Sequence, residues 1–74
     1  MVMKMKLKKY MYHLKHKSLY IELVDSKINE IIYQGTLGTY YNWIYRSKYE
    51  EYDIEKILFF NESYGVEIMT IYLY

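Results

Sequence analysis

The sequence predicts a single α+β domain over residues 1–74. The expected architecture is a four-stranded antiparallel sheet of two hairpins, with a basic N-terminal helix and a short aromatic helix between the hairpins, in the order αββαββ. Three observations predict it. Leu19-Tyr20-Ile21-Glu22-Leu23-Val24-Asp25 is a run of β-branched and aromatic residues closed by the turn formers Asp25, Ser26 and Asn29. A second pair of such runs, at 54–60 and 66–74, flanks Asn61-Glu62-Ser63-Tyr64-Gly65. Ahead of the first pair and between the two pairs, apolar residues recur at helical spacing.

The opening residues alternate, with Met1, Met3, Met5 and Leu7 set against Lys4, Lys6 and Lys8, a pattern that suits a strand. A longer window favours a helix. Leu7, Tyr10, Met11 and Leu14 form a stripe while Lys6, Lys8, Lys9, His13 and Lys17 take other faces, so residues 4–15 are expected to form a basic amphipathic helix. None of the first four residues is a good N-cap.

On the first strand Leu19, Ile21 and Leu23 share one face and Tyr20, Glu22 and Val24 the other. The return strand, about Glu30 to Thr36, carries Ile31, Ile32 and Tyr33, and Gly35 and Gly38 bracket an exit turn. Thr39 is placed to cap a helix over residues 40–51, in which Tyr41, Ile44, Tyr45 and Lys48 follow one stripe. Tyr40, Tyr41, Trp43, Tyr45, Tyr49 and Tyr52 are more rings than a small sheet can cover, so some should lie at the surface. In the last strand Val66, Ile68, Thr70, Tyr72 and Tyr74 oppose Glu67, Met69, Ile71 and Leu73. Both faces are apolar beyond Glu67, which predicts a strand that is central or covered twice.

Composition narrows the function. A chain of 74 residues has a thin core, and twelve tyrosines supply much of its 53% apolar content. The absence of cysteine excludes disulfides and thiolate metal sites and fits a reducing, cytoplasmic setting. The lysine-rich start lacks the apolar run of a signal peptide, and no window is long enough for a membrane span. The net charge of +1 hides an asymmetry: Lys4, Lys6, Lys8, Lys9, Lys15 and Lys17 all precede Glu22, the first acid.

Several segments carry a resemblance: Leu7-Lys-Lys-Tyr-Met-Tyr-His-Leu-Lys-His16, Tyr20-Ile-Glu-Leu-Val-Asp-Ser26, Ile32-Tyr-Gln-Gly-Thr-Leu37 and Asp53-Ile-Glu-Lys-Ile57. In wording and order they resemble short proteins carried by prophages and mobile elements of low-GC Gram-positive bacteria. The stretch 40–52 departs from that group in being longer and more aromatic. The resemblance implies an origin in a phage or mobile element and a role by binding, with small inhibitors of host defence such as anti-CRISPR proteins as one functional class.

Catalysis is not expected. His13 and His16 are three apart, a spacing that can hold a metal between imidazoles, but no thiolate or carboxylate is near them in sequence, and no metal or cofactor is expected. There is no Gly-x-Ser-x-Gly elbow, and Gly35-Thr-Leu-Gly38 is too short and glycine-poor for a phosphate loop.

Binding remains. Tyr40, Tyr41, Trp43, Tyr45, Arg46 and Tyr49 concentrate interface-type residues, and Glu50, Glu51 and Asp53 add an acidic run beside them. These residues are the expected contact for a host protein or ribonucleoprotein complex, so that the chain would inhibit a nucleic-acid-targeting defence system. Two alternatives stand beside it. Lys4, Lys6, Lys8, Lys9, Lys15 and Lys17 with exposed tyrosines would make a single-stranded nucleic-acid-binding accessory protein. An uncharged last-strand edge ending Ile71-Tyr72-Leu73-Tyr74 would make a homodimeric structural module.

Overall fold

The computed structural model describes residues 5–63 and 66–74. Helix α1 (Leu7–His13) precedes the hairpin of β1 (Tyr20–Asp25) and β2 (Glu30–Thr36). Two single helical turns, α2 (Leu37–Tyr40) and α3 (Arg46–Tyr49), lead to β3 (Ile54–Ser63) and β4 (Val66–Leu73). All three helices place residues in the same core as the sheet: Leu7 and Met11 from α1, Leu37 and Tyr40 from α2, and Tyr49 from α3 meet Ile21, Leu23, Ile71 and Leu73. No helix among the described residues is long and apolar enough to cross a membrane.

The domain is α+β with four strands, but the sheet is mixed, not purely antiparallel. Its order is β2-β1-β4-β3, with antiparallel outer pairs and a parallel central pair running from Tyr20↔Ile68 to Asp25↔Leu73. Burial explains the arrangement. Ile68, Met69, Thr70, Ile71 and Leu73 of β4 are buried on both faces, and Val24 gives β1 the same character. The edge strands show Glu30, Gln34, Glu55 and Lys56 to solvent, as edges that must not template further pairing do. Parallel neighbours need a long crossover, and residues 37–53 supply it across the core face.

This topology confirms that the last strand is central and removes it as an edge. β4 is hydrogen-bonded to a strand on each side, so self-association through its ladder has no free groups to use.

Other boundaries differ for local reasons. Helix α1 is shorter than 4–15: Leu14 is extended (ψ 129°), so Lys15 and His16 lie beyond the helix. His13 and His16 are therefore not on successive turns. Met5 and Lys6 keep the strand character of the alternating start, since Ile54 N donates to Met5 O (2.9 Å) and Lys6 bridges Asp53. Lys4 lies outside the described residues, as do Tyr64 and Gly65 of the turn expected over 61–65, whose Asn61, Glu62 and Ser63 belong instead to β3.

The expected helix 40–51 is two separate turns. Thr36, not Thr39, caps the first, with its Oγ1 accepting Thr39 N at 3.3 Å. Four-residue turns closed by Asn42 N to Thr39 O, Trp43 N to Tyr40 O and Arg46 N to Trp43 O carry the chain to α3. Tyrosine and tryptophan are weak helix formers, and a straight helix would point Tyr40, Trp43 and Tyr49 in different directions. The broken path lets all three rings reach the core side, where Trp43 stacks on Tyr49 with centroids 5.5 Å apart. Gly35 and Thr36 belong to β2, and Gly38 lies in α2, where its N–H donates to Lys17 O (2.9 Å). A Cβ at Gly38 would stand 3.3 Å from that oxygen, so glycine permits the close approach.

Candidate binding face

The first amides of α1 have no side-chain cap. Leu7 N donates to Tyr52 O (2.9 Å) and Lys8 N to Glu50 O (3.1 Å), so the end of the aromatic segment caps the helix with its own carbonyls. At the other end of α1 the Tyr41 hydroxyl donates to Met11 O at 3.3 Å. Segment 37–53 is thus tied to both ends of α1. Leu37 N to Leu19 O (2.8 Å) and Gly38 N to Lys17 O fix α2 against the chain that follows α1.

These ties bring together residues that are far apart in sequence. Arg46 sits over the Tyr41 ring at 5.6 Å, a cation–π distance. Tyr12, on the outer side of α1, is 79% exposed. Two open grooves meet at Tyr12 and Tyr41: one of about 540 Å³ also lined by Lys15, Lys17, Leu14 and Leu37, and one of about 250 Å³ also lined by Lys8, Arg46 and Glu50. A third groove, along Lys6, Lys8, Lys9 and Tyr12, ends at Glu50 and Glu51. Among the described residues, none of Lys8, Lys9, Lys15, Lys17 and Arg46 is in an ion pair. Their charge is uncommitted.

The other expected contact residues divide by burial. Tyr40 (0% exposed) and Tyr49 are core, and Trp43 is half-buried between Tyr33 and Tyr49, so these three rings build the domain. Tyr45 is exposed, and beside it Ile44, which belongs to the expected stripe but not to the expected contact residues, is 80% exposed. The acidic run is only partly engaged, and the Glu51 side chain is exposed with no ion pair among the described residues. Glu50 Oε2 accepts the Tyr40 hydroxyl (3.2 Å), the Glu51 carbonyl accepts Lys6 Nζ (2.9 Å), and Asp53 pairs with Lys6 at 3.6 Å. Lys6 is thereby a structural lysine. Tyr12 was missed as a site residue, although its place off the Leu7–Met11 stripe and among lysines marked it as an exposed ring.

Buried tyrosines find partners for their hydroxyls. Burial first, then the charge of Glu50 and the hydrogen bond to it, push the Tyr40 hydroxyl far above the ordinary tyrosine range. Burial also raises Tyr49, with Lys48 opposing and the charge of the buried Asp25 carboxylate reinforcing. Asp25 Oδ1 accepts Lys27 N (3.0 Å) and so holds the β1–β2 turn. Among the described residues no three of His, Cys, Asp and Glu gather as a metal site would require. Comparison with protein-family models, with curated proteins and with solved structures gives no match.

The Tyr40 pair sets a pH dependence. A hydroxyl whose folded pKa is raised stays protonated in the native state where the unfolded chain begins to ionise, near the ordinary value of 10.0. Its contribution is complete below that pH and is lost as pH rises above it. Tyr40→Phe should cost about 1–2 kcal/mol at pH 8 in denaturant unfolding, since a hydrogen bond to a carboxylate is lost. The gap between wild type and variant should narrow as pH rises beyond 10, and a gap constant with pH would contradict the assignment.

Proposed function

We propose that this protein is a non-catalytic binding module that holds an anionic partner on the face between α1 and segment 41–46. One observation carries the reading: the Tyr41–Met11 contact joins the aromatic segment to the basic one. Sequence alone left most of the rings in a different stretch from the lysines. On the folded chain Tyr12 and Tyr41 share their grooves with Lys8, Lys15, Lys17 and Arg46. The small net charge is no obstacle, because the recognising quantity is the local field, and Asp53 is held by Lys6.

Inorganic polyphosphate tests the charge of the face without testing its rings. It should bind at low salt, with affinity falling steeply as salt is added. Lys15→Gln with Lys17→Gln should make that salt dependence shallower, by roughly one unit of slope per lysine. Absence of binding at low salt, or an unchanged slope in the double variant, would remove the proposal.

A second reading, favoured by the exposed Ile44 and Tyr45, is a protein contact at the apex between α2 and α3. There an inhibitor of a host nucleic-acid-targeting complex would dock its partner. Ile44→Asp leaves the core untouched and should abolish co-purification of one dominant partner from a host that carries such a defence. Equal recovery with the variant would exclude the apex.

A further inference from the structure

We infer that the anionic partner is a single-stranded nucleic acid, gripped with its bases stacked on Tyr12 and Tyr41 and its phosphates beside the lysines and Arg46. The inference rests on the anionic-partner reading above and names the ligand class. Tyr12 and Tyr41 line both of the grooves that meet beside them, so the rings stand on the divide between the two. Lys15 and Lys17 lie on one side of that divide, and Lys8 and Arg46 on the other, where Glu50, whose carboxylate accepts the Tyr40 hydroxyl, leaves the two cations in excess. A strand crossing the divide meets cations before and after it and aromatic faces between, as sequence-tolerant single-strand binding requires. Arg46 over Tyr41 adds a guanidinium plane to one platform.

Other anionic partners use less of the face. A duplex keeps its base faces inside the stack, so it can satisfy the lysines and not the rings. An acidic peptide likewise offers carboxylates without flat π-surfaces. An anionic membrane would need an outward apolar helix face, yet Leu7 and Met11 of α1 are buried in the core. Leu14 and Leu37, on the floor of the larger groove, suit the apolar faces of bases better than free phosphate.

The test compares, at low salt, a short oligothymidylate, the same phosphodiester strand without bases, and a duplex of equal length. The single strand should bind at least about tenfold more tightly than the abasic strand, and more tightly than the duplex, if stacking contributes. Tyr12→Ala should erase most of that advantage while leaving binding of the abasic strand nearly unchanged, and Tyr12→Phe should retain it. Tyr12 is exposed, so its substitutions do not threaten folding. If the abasic strand binds as tightly as oligothymidylate, the face is a polyanion site and the single-strand inference fails. If no strand binds, the anionic-partner reading fails with it.

Discussion

The seam between α1 and segment 37–53 is the constraint on which the rest of the structure depends. A seven-residue helix has little stability of its own, and this one lacks a capping side chain. Its first amides are satisfied by the carbonyls of Tyr52 and Glu50, and its Met11 carbonyl accepts the Tyr41 hydroxyl. Leaving one such buried group unpaired would cost about 1–3 kcal/mol. The same bonds that complete the helix fix where Tyr41 and Arg46 stand relative to Tyr12, Lys8, Lys15 and Lys17. Fold and candidate site therefore share one set of contacts.

Tyrosine is the currency of this small core. In a 74-residue chain with few aliphatics, rings supply buried area, and each hydroxyl then needs an acceptor or donor. Tyr40 uses Glu50, Tyr33 donates to Thr36 O (2.8 Å), and Tyr10 reaches Met69 Sδ (3.4 Å). These polar ties between segments fix the broken path of residues 37–49, which packing of rings alone would leave less specified. The opposite face of the sheet has a polar centre, where Glu22 accepts Gln34 Nε2 (2.9 Å) and the Thr70 hydroxyl (3.3 Å) across three strands.

Much of this was legible in the sequence. The alternation Ile21, Leu23 against Tyr20, Glu22 gave β1 its faces, and the two-faced apolar run 68–73 made β4 central or twice covered, although its uncharged end also read as an edge. Placing that central strand beside β1 would have led to the mixed order, but adjacency in sequence argued for hairpins laid side by side. The helix expected over 40–51 failed because periodicity counted Tyr41, Ile44 and Tyr45 as a stripe, whereas Thr36 starts the first turn at Leu37 and the weak helix propensity of the rings lets it end at Tyr40. Burial of Tyr40 and Tyr49 was not legible: a tyrosine's spacing does not say whether a carboxylate awaits its hydroxyl inside. Nor was the meeting of rings and lysines, which depends on one long-range contact between residues thirty positions apart.

The most direct measurement of the central claim is amide chemical-shift mapping on addition of oligothymidylate. The account predicts that the largest changes fall on Lys8, Tyr12, Lys15, Lys17, Tyr41 and Arg46 together, in fast or intermediate exchange and reversed by salt. Changes confined to the opposite sheet face, at Tyr20, Glu22, Lys56 and Tyr72, would contradict it.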